Sequence, residues 1–423
     1  MKYKIISLGC KVNSYECSAL ASLFQREGYE EAQNKDADVV VINTCSVTST
    51  ADQKSRQHIR KMMKEYPNAI CVVMGCYSQG NADYVANEIK PQIVIGTSHR
   101  HEIVDLIKDY QQNGKQIVKV EPNTRVFKYE EMGITSFSEN VRAYLKIQDG
   151  CDNFCSYCLI PLRRGKMRSR NKEEVIEEAT QLVEKGYLEI VLTGIHVGGY
   201  GQDLEDTSFS DLVESLCHIK GIQGLRISSI EESEIDDKLI DLIKNEKVLA
   251  NHLHIPIQSG SKTVLERMNR KYNPTQFIDK INKIKNASFD IALSTDVIVG
   301  FPGESEEEFN ETVKFIKECG FHMLHVFPFS AREGTKAFYM KDQISPEIKD
   351  RRKKVLLDLS KKLWEEYVSR FINKEVSVLV ERYIDGYNIG HTSNYIEVKY
   401  KDNVNKVGKI DTILLQKSMI QSR

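Results

Sequence analysis

The sequence predicts an α/β protein with three parts: an N-terminal doubly wound parallel-sheet domain, a central partial (β/α)6 barrel and a small C-terminal all-β module. Continuous Val/Ile runs alternate with amphipathic helices over residues 1–110, which is typical of a parallel sheet covered on both faces. Six further strand candidates alternate with helices over residues 138–370. Short strands and turns occupy residues 371–423.

The elements are predicted in the following order. Strands of the first domain are expected in YKIISLG, ADVVVINT, AICVVMG and QIVIG, and helices at 14–27, 49–65, 80–89 and 100–110. Residues 111–137 are polar with little periodicity and predict a linker with room for one strand. Barrel strands are expected in AYLKIQD, EIVLTG, GLRISSI, HLHIPI, IALSTDVIVG and MLHVFPFS, with helices near 172–186, 208–219, 235–246, 260–286 and 304–319 and a charged helix at 346–370. Tail strands are expected in EVSVLVERYIDG, HTSNYIEVKY and KVGKIDTILL.

The composition is that of an ordinary globular protein. The 423 residues are 41% hydrophobic and 28% charged, with a formal net charge of −1, which argues against a protein that coats nucleic acid but allows a local basic surface that grips RNA. The first residues lack the pattern of a signal peptide, and no stretch approaches the roughly 18 apolar residues of a membrane span. A cytoplasmic location without a membrane partner is therefore expected, and in a reducing compartment the ten cysteines indicate metal binding rather than disulfides.

Cys151, Cys155 and Cys158 form a C-x3-C-x2-C cluster directly after the first predicted barrel strand. Thiolates are the usual ligands of iron–sulfur clusters, and three of them leave the fourth iron of a cubane open to another ligand. A structural zinc site would need a fourth ligand, and no histidine follows before His196. Three inert buried thiols are the remaining alternative. The spacing and the position at a strand end favour an iron–sulfur cluster.

Cys10, Cys45 and Cys76 have no tight spacing, but each follows a predicted parallel strand of the first domain. Ligands of doubly wound sheets gather at the carboxyl ends of the strands. Because neighbouring strands lie about 4.8 Å apart, three such thiolates can converge on one cluster. From topology alone, a second cluster and buried structural thiols remain equally open, since cysteine is among the most buried residue types.

Motifs along almost the whole chain carry a family resemblance. They are LGCKVNSYE, NTCSVT, MGCYSQ, CDNFCSYCLIP, RGKMRSR, LTGIHVGGYG, SSIE, LHIPIQSGS, MNRKY, DVIVGFPGE and HVFPFSAREGT. These motifs resemble the methylthiotransferase family of radical SAM enzymes. That family joins an N-terminal cluster-binding domain (1–110 here), a radical SAM domain (138–370) and an RNA-binding TRAM domain (371–423).

The resemblance implies two [4Fe–4S] clusters and S-adenosylmethionine (SAM) as cofactors. Cys10, Cys45 and Cys76 would bind the auxiliary cluster, and the loop from Cys151 to Cys158 would bind the cluster that cleaves SAM. The implied reaction is radical insertion of a methylthio group at C2 of an adenine. Because that carbon carries an unactivated C–H bond, the hard chemistry belongs to the cofactors and no general acid or base is assigned. The other four cysteines match no family ligand and are expected to be structural.

Two stretches, GCKVNSYE and GHTSNYIEV, resemble the members that act on N6-threonylcarbamoyladenosine at position 37 of tRNA, next to the anticodon. Within the family, the alternative substrates are isopentenyladenosine in tRNA and a ribosomal protein. Outside it, the alternatives are an electron-transfer iron–sulfur protein and a zinc-dependent RNA-binding protein. The expected partners are the tRNA anticodon stem-loop and a reductant protein such as flavodoxin or ferredoxin, with the chain itself a monomer.

Residues at the predicted strand ends, together with two aromatic residues of the cysteine loop, are candidates for binding SAM. They are Phe154, Tyr157, Thr193, Gly194, Ser228, Ser229, Gln258, Gly300 and Phe301. A run of cations beyond the cysteine loop and one aromatic residue of the tail are candidates for binding RNA. They are Arg163, Arg164, Lys166, Arg168, Arg170 and Tyr395.

Overall fold

The computed structural model describes residues 1–122, 128–133 and 141–421. Residues 123–127 and 134–140, which hold part of the expected linker and the start of the expected central domain, lie outside the described residues, as do residues 422–423. Within the described ranges, every helix is too short or too polar to cross a membrane.

The N-terminal part forms one sheet whose neighbouring strands all run parallel. Its strands are β1 (Lys2–Ser7), β2 (Glu30–Glu31), β3 (Val39–Thr44), β4 (Ile70–Gly75), β5 (Ile93–Ile95) and β6 (Ile117–Lys119). Its helices are α1 (Lys11–Arg26), α2 (Ser49–Glu65), α3 (Cys76–Gly80), α4 (Ala82–Tyr84) and α5 (Ile103–Asn113). The strand order is β2-β1-β3-β4-β5-β6. Apolar clusters pack on both faces, so every residue of β3 and β4 is buried, as the continuous Val/Ile runs predict.

Two details of this domain differ from expectation. The helix expected at 80–89 is divided among α3, α4 and a π-helical turn at Val85–Ile89, because Asn81 between α3 and α4 has a non-helical φ of −138°. Strand β6 lies inside the expected linker and pairs with β5, so the sheet extends beyond residue 110.

The central part contains the six expected strands and a small antiparallel pair. Its strands are β7 (Arg142–Lys146), β8 (Gln148–Asp149), β9 (Arg168–Ser169), β10 (Glu189–Thr193), β11 (Gly224–Ile227), β12 (His252–His254), β13 (Ala292–Val299) and β14 (Met323–Pro328). Its helices are α6 (Ile160–Arg164), α7 (Lys172–Glu184), α8 (Phe209–Cys217), α9 (Asp237–Asn245), α10 (Lys262–Arg267), α11 (Pro274–Ala287), α12 (Glu306–Cys319) and α13 (Pro346–Ser369).

The six long strands form two three-stranded parallel sheets, ordered β11-β10-β7 and β12-β13-β14. An isolated parallel bridge between Leu225 and Leu249 links β11 to the segment just before β12. The helix expected at 260–286 is two helices, because Asn269 adopts a left-handed φ of +57° and Pro274 begins α11. One apolar cluster lies between the strands and the surrounding helices.

The tail forms an antiparallel sheet packed against α13. Its strands are β15 (Glu375–Ile384), β16 (Tyr387–Thr392), β17 (Glu397–Lys401) and β18 (Ile410–Leu414), in the order β17-β16-β15-β18. The expected strand HTSNYIEVKY is broken by a turn. There Thr392 accepts a hydrogen bond on Oγ1 from the Ile396 N–H at 2.9 Å, and Tyr395 has a φ of +67°.

Candidate functional site

Three cysteines lie together at the carboxyl edge of the first sheet. Cys10 precedes α1, Cys45 follows β3 and Cys76 begins α3 directly after β4. Strands β1, β3 and β4 are neighbours, which gives the convergence predicted from topology. Burial and then the nearby thiols of Cys10 and Cys76 raise the pKa of Cys45 to about 11, so the three side chains lie within electrostatic reach of one another.

Two glycines permit this close approach. Gly9 has a φ of +108°, and a Cβ there would lie 2.8 Å from Cys45 Sγ. Gly75 has a φ of +102°, and a Cβ there would lie 2.5 Å from Asn43 Oδ1. Any other residue at either position would combine backbone strain with a steric clash beside a candidate ligand.

The second set of cysteines lies in a loop that the β8–β9 pair closes at its base. The Cys151 N–H donates to Gly165 O at 3.1 Å, which fixes the first cysteine to the end of the loop. The Cys158 N–H donates to Cys155 O at 3.0 Å, which turns the C-x2-C segment back on itself. Burial, with the nearby thiols of Cys155 and Cys151, contributes to a pKa of about 12 for Cys158. The local spacing therefore folds as one cluster of thiols.

Two basic side chains approach this loop. Burial by itself would lower the pKa of His196, but hydrogen bonds to Cys151 and Glu234 raise it to about 10. The Arg270 Nη1 lies 3.9 Å from Cys155 Sγ. Neither residue was a predicted site residue, although both belong to motifs of the family resemblance, GIHVGGYG and MNRKY.

A cavity of about 230 Å³ lies between the two sets of cysteines, and Cys76 and Cys158 both line it. The other lining residues are Ser46, Val47, Thr48, Tyr157, Leu159, Ile160, Arg163, Gln258, Asp296, Ile298, Phe327, Pro328, Phe329, Ser330 and Arg332. Its wall is mainly apolar with a few polar and charged groups, which is the usual character of a small-molecule site. A ligand in this cavity would contact both parts of the chain.

A buried ion cluster lies between the two cysteine sets, in contact with Cys76 and two residues before Cys151. Arg164 donates from Nε to Cys76 Sγ at 3.3 Å and from Nη1 to Glu16 Oε1 at 2.8 Å and Asp149 Oδ1 at 3.1 Å. Lys146 pairs with the same two carboxylates at 3.0 and 2.7 Å. Arg164 is 1% exposed, so the prediction that it contacts RNA phosphates is corrected: the cation neutralises buried carboxylates instead.

The same correction applies to two of the other predicted RNA contacts. Arg168 is buried and donates to Lys166 O at 2.7 Å, and Arg170 is buried and pairs with Glu178 at 3.0 Å. These guanidinium groups are used inside the fold and cannot reach a phosphate. Lys166 is exposed, and Arg163 lies at the cavity wall, so only these two cations of the run face a ligand or solvent.

Tyr395 is also corrected. Its ring stacks between His252 and His391, with centroid distances of 4.9 Å to each, and the Arg226 guanidinium lies 4.9 Å from its centroid. The residue docks the tail sheet onto the central sheets, so its ring faces are not available to an RNA base. His391 is four residues away on β16, but the sequence offered no sign of the contacts with His252 and Arg226, which lie on distant strands.

The predicted SAM contacts fall into two groups, those that are accessible to a ligand and those that are buried. Tyr157 and Gln258 line the cavity. Ser228 and Ser229 are partly exposed just beyond β11, and Phe154 is 56% exposed at the outside of the cysteine loop. These positions remain compatible with a ligand near the loop.

Three of the four remaining SAM candidates are buried. Phe301 is fully buried in an apolar cluster, and a Cβ on Gly300 would clash with the Lys349 side chain. Neither offers surface to a ligand, and the prediction is corrected for both. Thr193 is 2% exposed, and Gly194 beside it packs closely on Gln148, which leaves only the glycine partly accessible.

Three polar residues that were not among the predicted site residues lie together on β12, β13 and β14, although each belongs to a motif of the family resemblance, LHIPIQSGS, DVIVGFPGE or HVFPFSAREGT. Ligand atoms of His254, Asp296 and His325 all lie within 4.8 Å of one another. His254 Nε2 is 3.3 Å from Asp296 Oδ1, and Ser294 Oγ is 3.0 Å from His254 Nδ1. Strand alternation could have placed 294 and 296 on one face, but only the sheet order brings β12 and β14 beside them.

The chain matches two families of known proteins. Residues 145–316 match the Radical SAM superfamily, and residues 2–96 match the family described as Uncharacterized protein family UPF0004. Among solved structures, the radical S-adenosylmethionine methyltransferase TsrM from Kitasatospora setae, with cobalamin and a [4Fe-4S] cluster bound, has a similar fold. The TM-score is 0.58 at 13% identity, over 77% of this chain and 74% of that one.

Curated relatives match over nearly the full length. The Threonylcarbamoyladenosine tRNA methylthiotransferase MtaB of Bacillus subtilis (strain 168) is 45% identical over 97% of this chain and 93% of the relative. The protein of the same name from Aquifex aeolicus (strain VF5) is 36% identical over 98% of this chain and 100% of the relative. The tRNA-2-methylthio-N(6)-dimethylallyladenosine synthase of Hydrogenobaculum sp. (strain Y04AAS1) is 33% identical over 100% of this chain and 98% of the relative.

The parallel sheets, the three-cysteine loop at a strand end and the matched superfamily define a radical SAM enzyme. Its cofactors are SAM and [4Fe–4S] clusters, and two groups of three thiols suit such clusters chemically. The full-length relatives then decide the family: the chain belongs to the methylthiotransferases of the radical SAM superfamily.

Proposed function

We propose that this enzyme converts N6-threonylcarbamoyladenosine at position 37 of tRNA to its 2-methylthio derivative. The observation that carries the proposal is the cavity lined by both Cys76 and Cys158, which gives one ligand access to both cysteine sets. The names of relatives that are 45% and 36% identical support this substrate.

Each cysteine set would hold one cluster in this proposal. Cys10, Cys45 and Cys76 supply three thiolates for the auxiliary [4Fe–4S] cluster, and Cys151, Cys155 and Cys158 supply three for the second. When bound, the clusters and SAM supply the radical chemistry that opens the adenine C2–H bond and the methylthio group that replaces the hydrogen.

The chain's own residues position the substrate and exclude water. Tyr157, Ile298, Phe327 and Phe329 give the cavity an apolar wall against which a nucleobase can pack. Gln258 adds a polar amide to that wall. The buried ion cluster would hold the two cysteine sets in one relative position, so that one base can be presented to both.

The finer architecture belongs to the same proposal. The six long strands would form a partial (β/α)6 radical SAM barrel, and the tail sheet would be a TRAM domain that binds RNA. Because the ring of Tyr395 is stacked between two histidines and three of the predicted cations are buried, the surface beside the cavity is a better candidate for RNA contacts. Helix α2 begins directly after the cavity-lining residues Ser46–Thr48 and carries exposed cations at Lys54, Arg60 and Lys64.

The proposed partners are the tRNA anticodon stem-loop and a flavodoxin- or ferredoxin-type reductant, with the enzyme acting as a cytoplasmic monomer. Entry of the target base costs little, because the base lies in a loop and is already unpaired.

Mass spectrometry of tRNA nucleosides tests the function. A strain that lacks the gene should lose 2-methylthio-N6-threonylcarbamoyladenosine and accumulate its unmethylthiolated precursor. The gene should restore the product, whereas Cys158→Ala and Cys76→Ala should not. If 2-methylthio-isopentenyladenosine disappeared instead, the alternative substrate would be correct. Unchanged nucleosides in a strain without a redundant enzyme would contradict both.

Iron analysis after anaerobic purification tests the cysteine assignments. We expect about eight irons per chain, and about four in Cys76→Ala or in Cys158→Ala. Cys71→Ala, at a buried cysteine outside both sets, is the matched control and should keep all of them. About four irons in the unmodified chain would contradict the assignment of the auxiliary cluster. Stoichiometric zinc in place of iron would contradict the assignment of both clusters.

A further inference from the structure

Arg163 is an unpaired cation in the wall of the cavity. It belongs to α6, directly after the cysteine loop, and its Nε is buried without a hydrogen-bond partner. Among residues 1–122, 128–133 and 141–421, no carboxylate forms an ion pair with it. Burial lowers the pKa of Arg163, because the surrounding groups do not compensate for the lost solvation.

The nearby charged groups already have partners. Asp52 accepts a hydrogen bond from Arg332 at 2.6 Å and another from Ser46 Oγ at 2.7 Å. The guanidinium of Arg163 lies against Gly80, where a Cβ would overlap it. The missing side chain of Gly80 therefore leaves room for this guanidinium beside α3 at the edge of the cavity wall, and no anion of the described residues pairs with it.

A guanidinium in a cavity wall, partly buried and with its Nε enclosed and unpartnered, suits a ligand that brings a negative charge. The proposed substrate has one such group on its base: the carboxylate of the threonylcarbamoyl substituent. The isopentenyl group of the alternative substrate is neutral and apolar. A guanidinium binds a carboxylate through two parallel N–H donors, which gives both affinity and orientation.

On the basis of the proposed function, we infer that Arg163 binds the carboxylate of the N6-threonylcarbamoyl group and thereby selects this nucleoside. Two other anions have the same chemistry, the carboxylate of SAM and an RNA phosphate. The nucleoside's own carboxylate is favoured because it enters the cavity with the base, whereas phosphates stay on the backbone. This interaction orients the base; it takes no part in the chemical step.

The test compares two anticodon stem-loops on the cofactor-loaded enzyme. One carries N6-threonylcarbamoyladenosine, and in the other a hydroxymethyl group replaces the carboxylate. For the wild type, kcat/KM should be about 10- to 100-fold higher for the carboxylate substrate, the usual range for a hydrogen bond to a charged group. Arg163→Gln should remove this preference, and Arg163→Lys should retain part of it.

Further measurements separate the other anions. Iron content and RNA-independent cleavage of SAM should be unchanged in Arg163→Gln. A raised KM for SAM would show that Arg163 binds the carboxylate of SAM and would overturn the inference. Lys166→Gln, an exposed cation three positions along, should change both stem-loops by the same factor. An equal loss on both stem-loops in Arg163→Gln would indicate a phosphate contact and would also overturn it.

The substrate comparison does not depend on the variants being stable. A wild-type enzyme that modifies both stem-loops equally well refutes the inference by itself. A wild type that cleaves SAM but modifies neither stem-loop refutes the proposed function instead.

Discussion

Glu16 is the carboxylate on which the buried ion cluster depends, and its conversion to glutamine isolates the effect of charge. The side chain is 1% exposed and lies 2.8 Å from Arg164, 3.0 Å from Lys146 and in contact with Arg100. Glu16→Gln keeps the shape but leaves these cations with too little negative charge. Removal of one partner from a buried ion pair costs about 3–5 kcal/mol, a large part of a total stability of roughly 5–15 kcal/mol.

Urea unfolding followed by circular dichroism measures this cost. The matched control is Glu27→Gln, because Glu27 is an exposed carboxylate that pairs with Lys108 at 3.4 Å. An exposed pair contributes about 0–1 kcal/mol, so the control should unfold almost as the wild type does. If Glu16→Gln lost less than about 1 kcal/mol relative to this control, the ion cluster would not stabilise the fold as argued.

Three further outcomes are expected. Burial alone would raise the pKa of Glu130, but Arg100 and His101 lower it to about 2, so its stabilisation is present above pH 4.5 and is lost as the pH falls toward 2. Glu130→Gln should therefore lower the free energy of unfolding by about 3 kcal/mol at pH 7 and by progressively less on acidification. Urea unfolding at several pH values measures this, and a difference between variant and wild type that stayed constant with pH would contradict the expectation. Tyr395→Ala should weaken the docking of the tail sheet by about 2–3 kcal/mol and make the tail more sensitive to limited proteolysis. A loss of tRNA binding without faster proteolysis would instead show that Tyr395 contacts RNA. Gly75→Ala should lose about four irons, since its Cβ would displace the following cysteine; full iron content would show that the turn tolerates a side chain.

Local sequence patterns were sufficient for several features. The C-x3-C-x2-C spacing is so short that its thiols meet in one loop whatever surrounds them. Cys10, Cys45 and Cys76 could be grouped without a motif, because the carboxyl ends of parallel strands meet at one edge of a sheet. Hydrophobic periodicity predicted the order of the long strands and helices, since it records which faces are buried.

The predictions of surface contacts were the weakest. RRGKMRSR looks like a phosphate-binding run, but a charge pattern contains no information about distant partners. Arg164 pairs with Glu16, 148 positions earlier, and Arg170 pairs with Glu178 on α7. The RNA contact predicted for Tyr395 is wrong for the same reason, because His252 and Arg226, which cover its ring together with the nearby His391, come from strands of the central sheets.

The sequence by itself determined the chemistry that this chain can carry out, because cysteine spacing and strand ends are local properties. Tertiary structure alone decided which charges are neutralised inside the fold and which one lies in the cavity wall. Arg163 and Arg164 are adjacent in sequence, yet Arg164 is enclosed by carboxylates, whereas Arg163 lies in a cavity wall and pairs with no carboxylate of the described part of the chain. Such a difference arises only from the packing of the two domains, since each guanidinium is balanced or left unpaired by residues far away along the chain.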